Sequence, residues 1–179
     1  MLTRRGFLTA GGLALAGLAV PRSARAARTV EIRMRSDTLG TQVWFDPIGL
    51  LVEPGTTIRW VVEQNVHTTA AYHPKNDMHS LRIPERAQPW NSGYLVQPGS
   101  HFEATLTVEG VYDYFCLPHE IAGMVGRIVV GKPGGPGALP FDYFKGKLGA
   151  VGWKAVPSAA ERAFPTVTAI MAHGIVRKS

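Results

Sequence analysis

The stretch Tyr114-Phe115-Cys116-Leu117-Pro118-His119-Glu120-Ile121-Ala122-Gly123-Met124 holds the only cysteine of the chain, a histidine three residues on and a methionine five beyond that. Thiolate, imidazole and thioether form the soft ligand set that selects copper in a trigonal site with a weak axial sulfur. Such a site needs a second imidazole from elsewhere. The chain has six histidines, and besides His119 the candidates are His67, His73, His79, His101 and His173.

The loop carrying these residues needs rigid flanks. Val111 to Phe115 and Val125 to Val130 are β-prone runs on either side of it, so Cys116, His119 and Met124 fall on one connection at the end of a strand pair. Upstream, Val30, Ile32 and Met34 alternate with Glu31, Arg33 and Arg35, the period-two pattern of a half-buried strand. Further strands are expected at Val43–Phe45, Gly49–Val52, Thr57–Val62, Gly93–Val96 and Phe102–Val108, separated by Pro-Gly turns, with Ala70–Tyr72 a short continuation. About eight short strands without βαβ alternation imply an all-β fold, an antiparallel β-sandwich or barrel. Strand ends cluster at the poles of a sandwich. His67, which follows the Thr57–Val62 strand, is therefore favoured as the second imidazole over the other histidines.

The chain has 179 residues, a length that suits one domain with an accessory segment. Residues 1–26 read as an export signal: Arg4 and Arg5 precede the apolar run Phe7–Val20, and Ala24-Arg25-Ala26 is a small-x-small cleavage pattern. Thr3-Arg4-Arg5-Gly6-Phe7-Leu8 is of the twin-arginine type, a route for folded proteins that suits one loaded with its metal before export. Membrane attachment is expected only if this segment stays uncleaved. Four arginines and no acidic residue fall within it, leaving 15 of the 19 basic side chains against 13 acidic ones, a net of +2. No basic cluster with interleaved aromatics remains, and nucleic-acid binding is set aside. A lone cysteine in an exported chain makes no internal disulfide, and ligation to a metal protects it from oxidation.

Residues 27–132 are expected to form the metal-binding domain. Lys132-Pro133-Gly134-Gly135-Pro136-Gly137 marks a composition break, and residues 133–179 read as a linker and helical extension. A short helix is expected over Asp142–Leu148. A second helix begins at Ala159 with Ser158 as N-cap and Glu161 as its capping-box partner, Pro165 forces a break near Phe164, and a third helix runs from about Thr166 to Ala172, closed by Gly174. Ile170, Met171 and Ile175 are expected to pack on the sandwich. The connection Thr68–Asn91 is long, with prolines at 74, 84 and 89, so short helical turns or a functional role are expected there, and the role of its proline-rich part His73–Trp90 is open. His73, His79 and His101 read as solvated loop residues, Trp44 and Trp60 as core, and Trp90 as a surface residue near the metal pole.

The pattern Cys116-Leu117-Pro118-His119 with Met124, together with the upstream Asn65-Val66-His67 and the Glu53-Pro54-Gly55 turn, resembles the type 1 blue copper proteins, or cupredoxins. The likeness is greatest to the plastocyanin and pseudoazurin branch. It covers roughly Thr29 to Lys132, and the helical extension is similar to that of pseudoazurin. The resemblance implies a Greek-key β-sandwich, one type 1 copper per chain, His67, Cys116 and His119 as equatorial ligands, and Met124 as the axial one. Many relatives carry Asn or Ser after the first histidine, where this chain has Thr68.

Four protein ligands leave no coordination position for a substrate, which argues for electron carriage and against catalysis. The implied protein is a periplasmic carrier of single electrons between transient redox protein partners, with no small-molecule substrate. The exposed edge of His119, within an apolar patch of Leu117, Pro118, Ile121 and Ala122, is its implied electron port. The competing classes are a module for copper delivery or storage and a subunit of a copper enzyme; an enzyme would need further ligands, for instance His73 and His79.

Overall fold

The computed structural model describes residues 28–178. The expected export signal, residues 1–26, lies outside them. The described chain runs β1 (Thr29–Ser36), β2 (Val43–Asp46), β3 (Gly49–Val52), β4 (Thr56–Val62), β5 (Ala70–Ala71), β6 (His101–Leu106), β7 (Gly110–Phe115), β8 (Val125–Val130), then α1 (Ser158–Ala163), α2 (Val167–His173) and β9 (Ile175–Val176). These strands make two sheets, ordered β2-β1-β4-β6 and β5-β7-β8-β3-β9. Among the described residues no helix is long and apolar enough to cross a membrane.

The sandwich matches the all-β expectation, with one correction to its pairing. The sheets are mixed: β1 pairs β4 in parallel, and β3 pairs β8 in parallel, while the remaining pairs are antiparallel. Parallel neighbours require crossover connections. Local turn signals report hairpins but carry no information about which distant strand becomes the neighbour.

In the first sheet the alternation read from sequence is realised. Ile32 and Met34 of β1, and Ile58, Trp60 and Val62 of β4, point into the core, while Glu31 and Arg33 face solvent. β7 and β8 differ, being buried along their whole length. Their inner side chains Tyr112, Tyr114, Ile128 and Val130 join Cys116 and Met124 in the main core. Their outer side chains are covered by later parts of the chain. Phe115 and Val125 pack with Tyr72, Ala160 and Phe164, and Val111 and Val129 pack with Ile170. A Cβ at Gly126 would overlap the Tyr114 ring, so the close approach of β8 to that tyrosine needs glycine.

That covered face carries a buried ionic cluster. The Asp113 carboxylate accepts from Arg82 Nε at 2.7 Å and from Arg127 Nε and Nη2 at 2.6 and 2.9 Å. Arg82 also donates to the carbonyls of Gly137 and Leu139, and Arg127 donates to that of Pro165. The guanidinium carbons lie over the rings of Phe141 and Phe164, at 4.1 and 4.9 Å from the centroids. Every charge thus has a partner, and the extension is fastened to the sandwich through its backbone.

Several local expectations are corrected. Gly93–Val96 forms no strand; Leu95 only exchanges backbone bonds with His67. Asp142–Gly146 forms turns rather than a helix, and Leu148 opens a short 3-10 helix that runs to Ala150. Ser158 is the first helical residue of α1, after Pro157, and no side chain caps that end; Pro157 already holds the extended conformation a cap requires. The helix break at Phe164, the start of α2 and its Gly174 cap follow the sequence reading, with Thr166 accepting from the Ala169 amide. Ile170 packs on the sandwich as expected, but Met171 and Ile175 are exposed. Trp44 is half-buried with Arg35 and Lys178 over its ring. Trp90 is buried, stacked near Trp60 at 5.2 Å and donating to Thr69 Oγ1 at 3.0 Å.

Candidate metal centre

Three chain segments meet at one pole of the sandwich. β7 ends at Phe115, Cys116 takes an extended conformation, and Leu117–Ala122 winds into a 3-10 turn with Pro118 in its first positions. Proline suits this place because the first amides of a helical turn lack intrahelical acceptors. Gly123 ends the turn at φ +83°, a left-handed conformation that favours glycine, and a Cβ there would lie 3.3 Å from the Ala163 Cβ. The Cys116 amide donates to the Met124 carbonyl at 3.0 Å and the Met124 amide donates to the His119 carbonyl at 3.1 Å. These bonds close the loop, so its ends are held by backbone as well as by side chains.

His67 comes from the connection after β4. Its main chain exchanges two hydrogen bonds with Leu95, at 3.2 and 2.9 Å, which fixes the backbone in the absence of a strand. Its Nδ1 lies 3.7 Å from Cys116 Sγ, and Nδ1 of His119 lies 3.3 Å from the same sulfur. One donor atom from each of His67, Cys116 and His119 lies within 4.8 Å of the others. Met124 is fully buried in the core cluster that contains Cys116.

Two further side chains set this geometry. Ser36 Oγ, at the end of β1, lies 3.2 Å from His67 Nε2 and leaves Nδ1 directed at the sulfur. Histidine ligands are commonly oriented in this way through the second ring nitrogen. Thr68 joins the two ligand loops: its hydroxyl accepts from the Leu117 amide at 2.7 Å, and its own amide donates to Cys116 Sγ at 3.3 Å. Thr68 therefore ties the two loops through both its hydroxyl and its amide. Its place after His67 is visible in sequence, whereas nothing in sequence points to Ser36, which reaches His67 only through the sandwich.

The electrostatics favour a neutral, metal-ready pair of imidazoles. Burial, and secondarily the neighbouring His119, pushes His67 down to about 4. Burial also lowers His119. Burial pushes the metal-free Cys116 thiol up to about 11, against the Thr68 amide, which lowers it. Metal binding at such a thiol is coupled to release of its proton. A thiol sulfur and two neutral imidazole nitrogens converging on one another fit copper, with Met124 buried in the same core cluster as Cys116.

The other histidines do not join them. His101 is exposed on β6 beside Arg59. His73 is half-buried, with its Nδ1 accepting from the Lys75 amide. His79 corrects the solvated-loop expectation: it is buried, with Nε2 3.0 Å from Glu120 and Nδ1 2.6 Å from the Asn76 carbonyl. Burial lowers its pKa, but the Glu120 and Asn76 bonds more than offset this, and the net direction is upward. Glu120 also accepts from the Tyr72 hydroxyl at 2.7 Å.

Around His119, which is half-buried, the surface is apolar: Leu117 and Ile121 are 42 % and 78 % exposed, and Pro118 and Ala122 are exposed beside them. Val66, Tyr94 and Val96 are also exposed, on the segments flanking His67 and Leu95.

Comparison with known proteins agrees with this geometry. The chloroplastic plastocyanin of Tetradesmus obliquus is 32 % identical over 129 residues, covering 68 % of this chain and 78 % of its own length. The plastocyanin of Synechococcus sp. is 32 % identical over 130 residues, with 69 % and 86 % covered. Among solved structures, a pseudoazurin from Sinorhizobium meliltoi superposes with a TM-score of 0.52 at 26 % identity, covering 82 % of this chain and 98 % of the other. Native pseudoazurin from Hyphomicrobium denitrificans gives 0.51 at 26 % identity, with 75 % and 91 % covered. The family described as copper binding proteins, plastocyanin/azurin family, matches residues 32–131, and the chain belongs to it, a type 1 cupredoxin whose cofactor is copper.

Proposed function

We propose that this protein is a periplasmic carrier of single electrons, holding one copper through His67, Cys116, His119 and Met124. The observation that carries the reading is the convergence of the two imidazole Nδ1 atoms on the buried Cys116 sulfur. Copper cycling between its two oxidation states supplies the one-electron chemistry. The protein's part is to keep the donors still. His67 is braced by Ser36, the two ligand loops are tied by Thr68, and the Cys116 loop is closed by backbone bonds at Met124. A site whose ligands move little on electron gain exchanges electrons quickly.

The sulfur receives an amide bond from Thr68, and Pro118, two residues on in the loop, has no N–H to offer. Fewer donors leave more charge on the sulfur, which bears on the potential. The half-buried ring of His119 lies between sulfur and surface, amid exposed Leu117, Pro118, Ile121 and Ala122. That patch suits the small, short-lived interfaces of redox encounters. A hollow of about 440 Å³ lies elsewhere, lined by Pro84, Arg86, Glu109 and Tyr143 among others, and none of its lining residues belongs to the metal site.

The test is to add copper(II) to the purified mature protein and record its visible spectrum. An intense thiolate-to-copper band that disappears in Cys116→Ser, with one copper per chain and reversible one-electron cycling, is the expected result. Copper bound without such a band overturns the site. Ready transfer of copper(I) to an acceptor without reversible cycling would assign the protein to copper delivery instead. Periplasmic location is tested by cell fractionation, with Arg4→Lys and Arg5→Lys together retaining the protein inside.

A further inference from the structure

The segment from Tyr72 to Trp90 forms no helix and no strand, yet its first part is fixed against the back of the Cys116 loop. Tyr72 and His79 are both buried, and both bond the carboxylate of Glu120, one oxygen each, at 2.7 and 3.0 Å. Glu120 directly follows His119 within the 3-10 turn and is itself buried. The two rings also enclose Phe115, the residue before Cys116: His79 stacks on it at 4.3 Å and Tyr72 lies at 4.6 Å. One pair of side chains therefore grips the metal loop on both sides of Cys116 and His119.

The aim of His79 is held by its backbone. Asp77 and Met78 both adopt left-handed conformations, at φ +54° and +58°, which non-glycine residues hold only when the surroundings require it. Lys154 supplies that requirement from the extension: its amide donates to the Met78 carbonyl at 2.7 Å, its carbonyl accepts from Ser80 at 3.0 Å, and its ammonium pairs with Asp77 at 2.6 Å. Asn76 accepts from His79 Nδ1 through its carbonyl, while its side chain donates to the Ala71 and Trp90 carbonyls.

We propose that Tyr72 and His79 are positioning residues for electron transfer, which clamp Glu120 and so hold His119 against Cys116 whether or not copper is bound. The proposal rests on the copper-site reading above. It assigns a task to the long proline-rich connection: to stiffen a ligand loop from behind. Partners that orient a metal's ligands typically change affinity or activity by about 10- to 100-fold when removed.

Tyr72→Phe and His79→Phe, singly and together, keep both rings and remove only the polar contacts. In the metal-free full-length mature protein, amide hydrogen exchange at His119, Gly123 and Met124 is expected to rise about tenfold or more, with exchange at Ile58 and Trp60 unchanged. In the copper-loaded protein, electron self-exchange is expected to slow by about tenfold or more and the copper EPR signature to shift. Glu120→Gln, whose amide accepts from Tyr72 and donates to a neutral His79, should stay near wild type, whereas Glu120→Ala should behave like the double variant. Exchange rising equally in loop and sheet would reduce the cluster to general stabilisation and overturn the proposal. Unchanged loop exchange and unchanged self-exchange would overturn it as well. If the wild-type protein takes up no copper, the copper reading has failed, and the metal-free exchange experiment still decides the clamp.

Discussion

Thr68 and Leu117 are joined by a 2.7 Å hydrogen bond from the Leu117 amide to the Thr68 hydroxyl, and the same threonine's amide donates to Cys116 Sγ. One residue thus links the His67 loop to the Cys116 loop and sets the polarity at the sulfur. Thr68→Val keeps the shape and the amide but removes the acceptor. Leaving the partly buried Leu117 N–H unpaired is expected to cost about 1 kcal/mol in chemical denaturation and about 10-fold or more in copper affinity. An unaltered affinity would show that the two loops are held together by packing alone.

Met124→Leu conserves volume in a fully buried position, so the fold should lose less than about 1.5 kcal/mol. Any axial donor stabilises the more highly charged copper(II) more than copper(I), so replacing the thioether by an alkyl side chain should raise the reduction potential while the thiolate-to-copper band persists. Voltammetry together with the visible spectrum checks this. A potential at or below that of wild type would remove Met124 from the ligand set.

The metal-free protein should lose stability on acidification because of His67. Its folded pKa is depressed to about 4 from 6.5. Unfolded chains therefore take up a proton near pH 6.5 that the folded state refuses until about pH 4, and stability falls as pH drops through that window. Fully expressed, the shift corresponds to at most about 3 kcal/mol. Denaturant titrations of metal-free protein from pH 7 to 4 should show this slope in wild type and a shallower one in His67→Gln. Equal slopes would exclude His67 as the group responsible.

Asp113 is the shared counter-ion of two buried arginines, Arg82 and Arg127. Asp113→Asn leaves them without a buried counter-charge and is expected to cost about 3–5 kcal/mol. Because Arg82 and Arg127 hold the carbonyls of Gly137, Leu139 and Pro165, proteolytic cutting should appear first within residues 133–165. Melting curves and limited proteolysis measure both. Loss of stability without preferential cutting there would show that the extension is held by its apolar contacts instead.

Ile121 is 78 % exposed beside His119. Ile121→Asp should leave the potential and spectrum nearly unchanged and slow electron self-exchange, which requires two such faces to meet, by about tenfold or more. Stopped-flow or NMR line-broadening rates test this, and an unaffected rate would place the electron port elsewhere.

The chemistry of the candidate centre was legible because its candidate ligands are concentrated locally. Cys116, His119 and Met124 lie on one loop between two β-prone runs, and their types alone select copper. His67 was legible more weakly, through its place at the end of a predicted strand. The half-buried strands of the first sheet could be read because period-two alternation survives wherever one face meets water, as in β1 and β4. The strand β7 alternates too, but its outer residues Val111, Asp113 and Phe115 are covered by the insertion and the extension. A lone Asp113 in such a pattern reads as solvent-facing until its two arginines are brought to it.

What only the tertiary structure decided are the relationships between distant segments. The parallel pairing of β1 with β4 and β3 with β8, the support of His67 by Ser36, and the burial of His79 against Glu120 each join residues with no local sequence signature. A histidine in a proline-rich loop has the same sequence neighbourhood whether it is solvated or buried. Its state is set by the packing around it, here the stacking of Phe115 and the backbone pairing with Lys154. Ligand identity depends on side-chain chemistry, which sequence states directly. Ligand rigidity depends on which surfaces close over the loop, and that is settled only when the whole chain has folded.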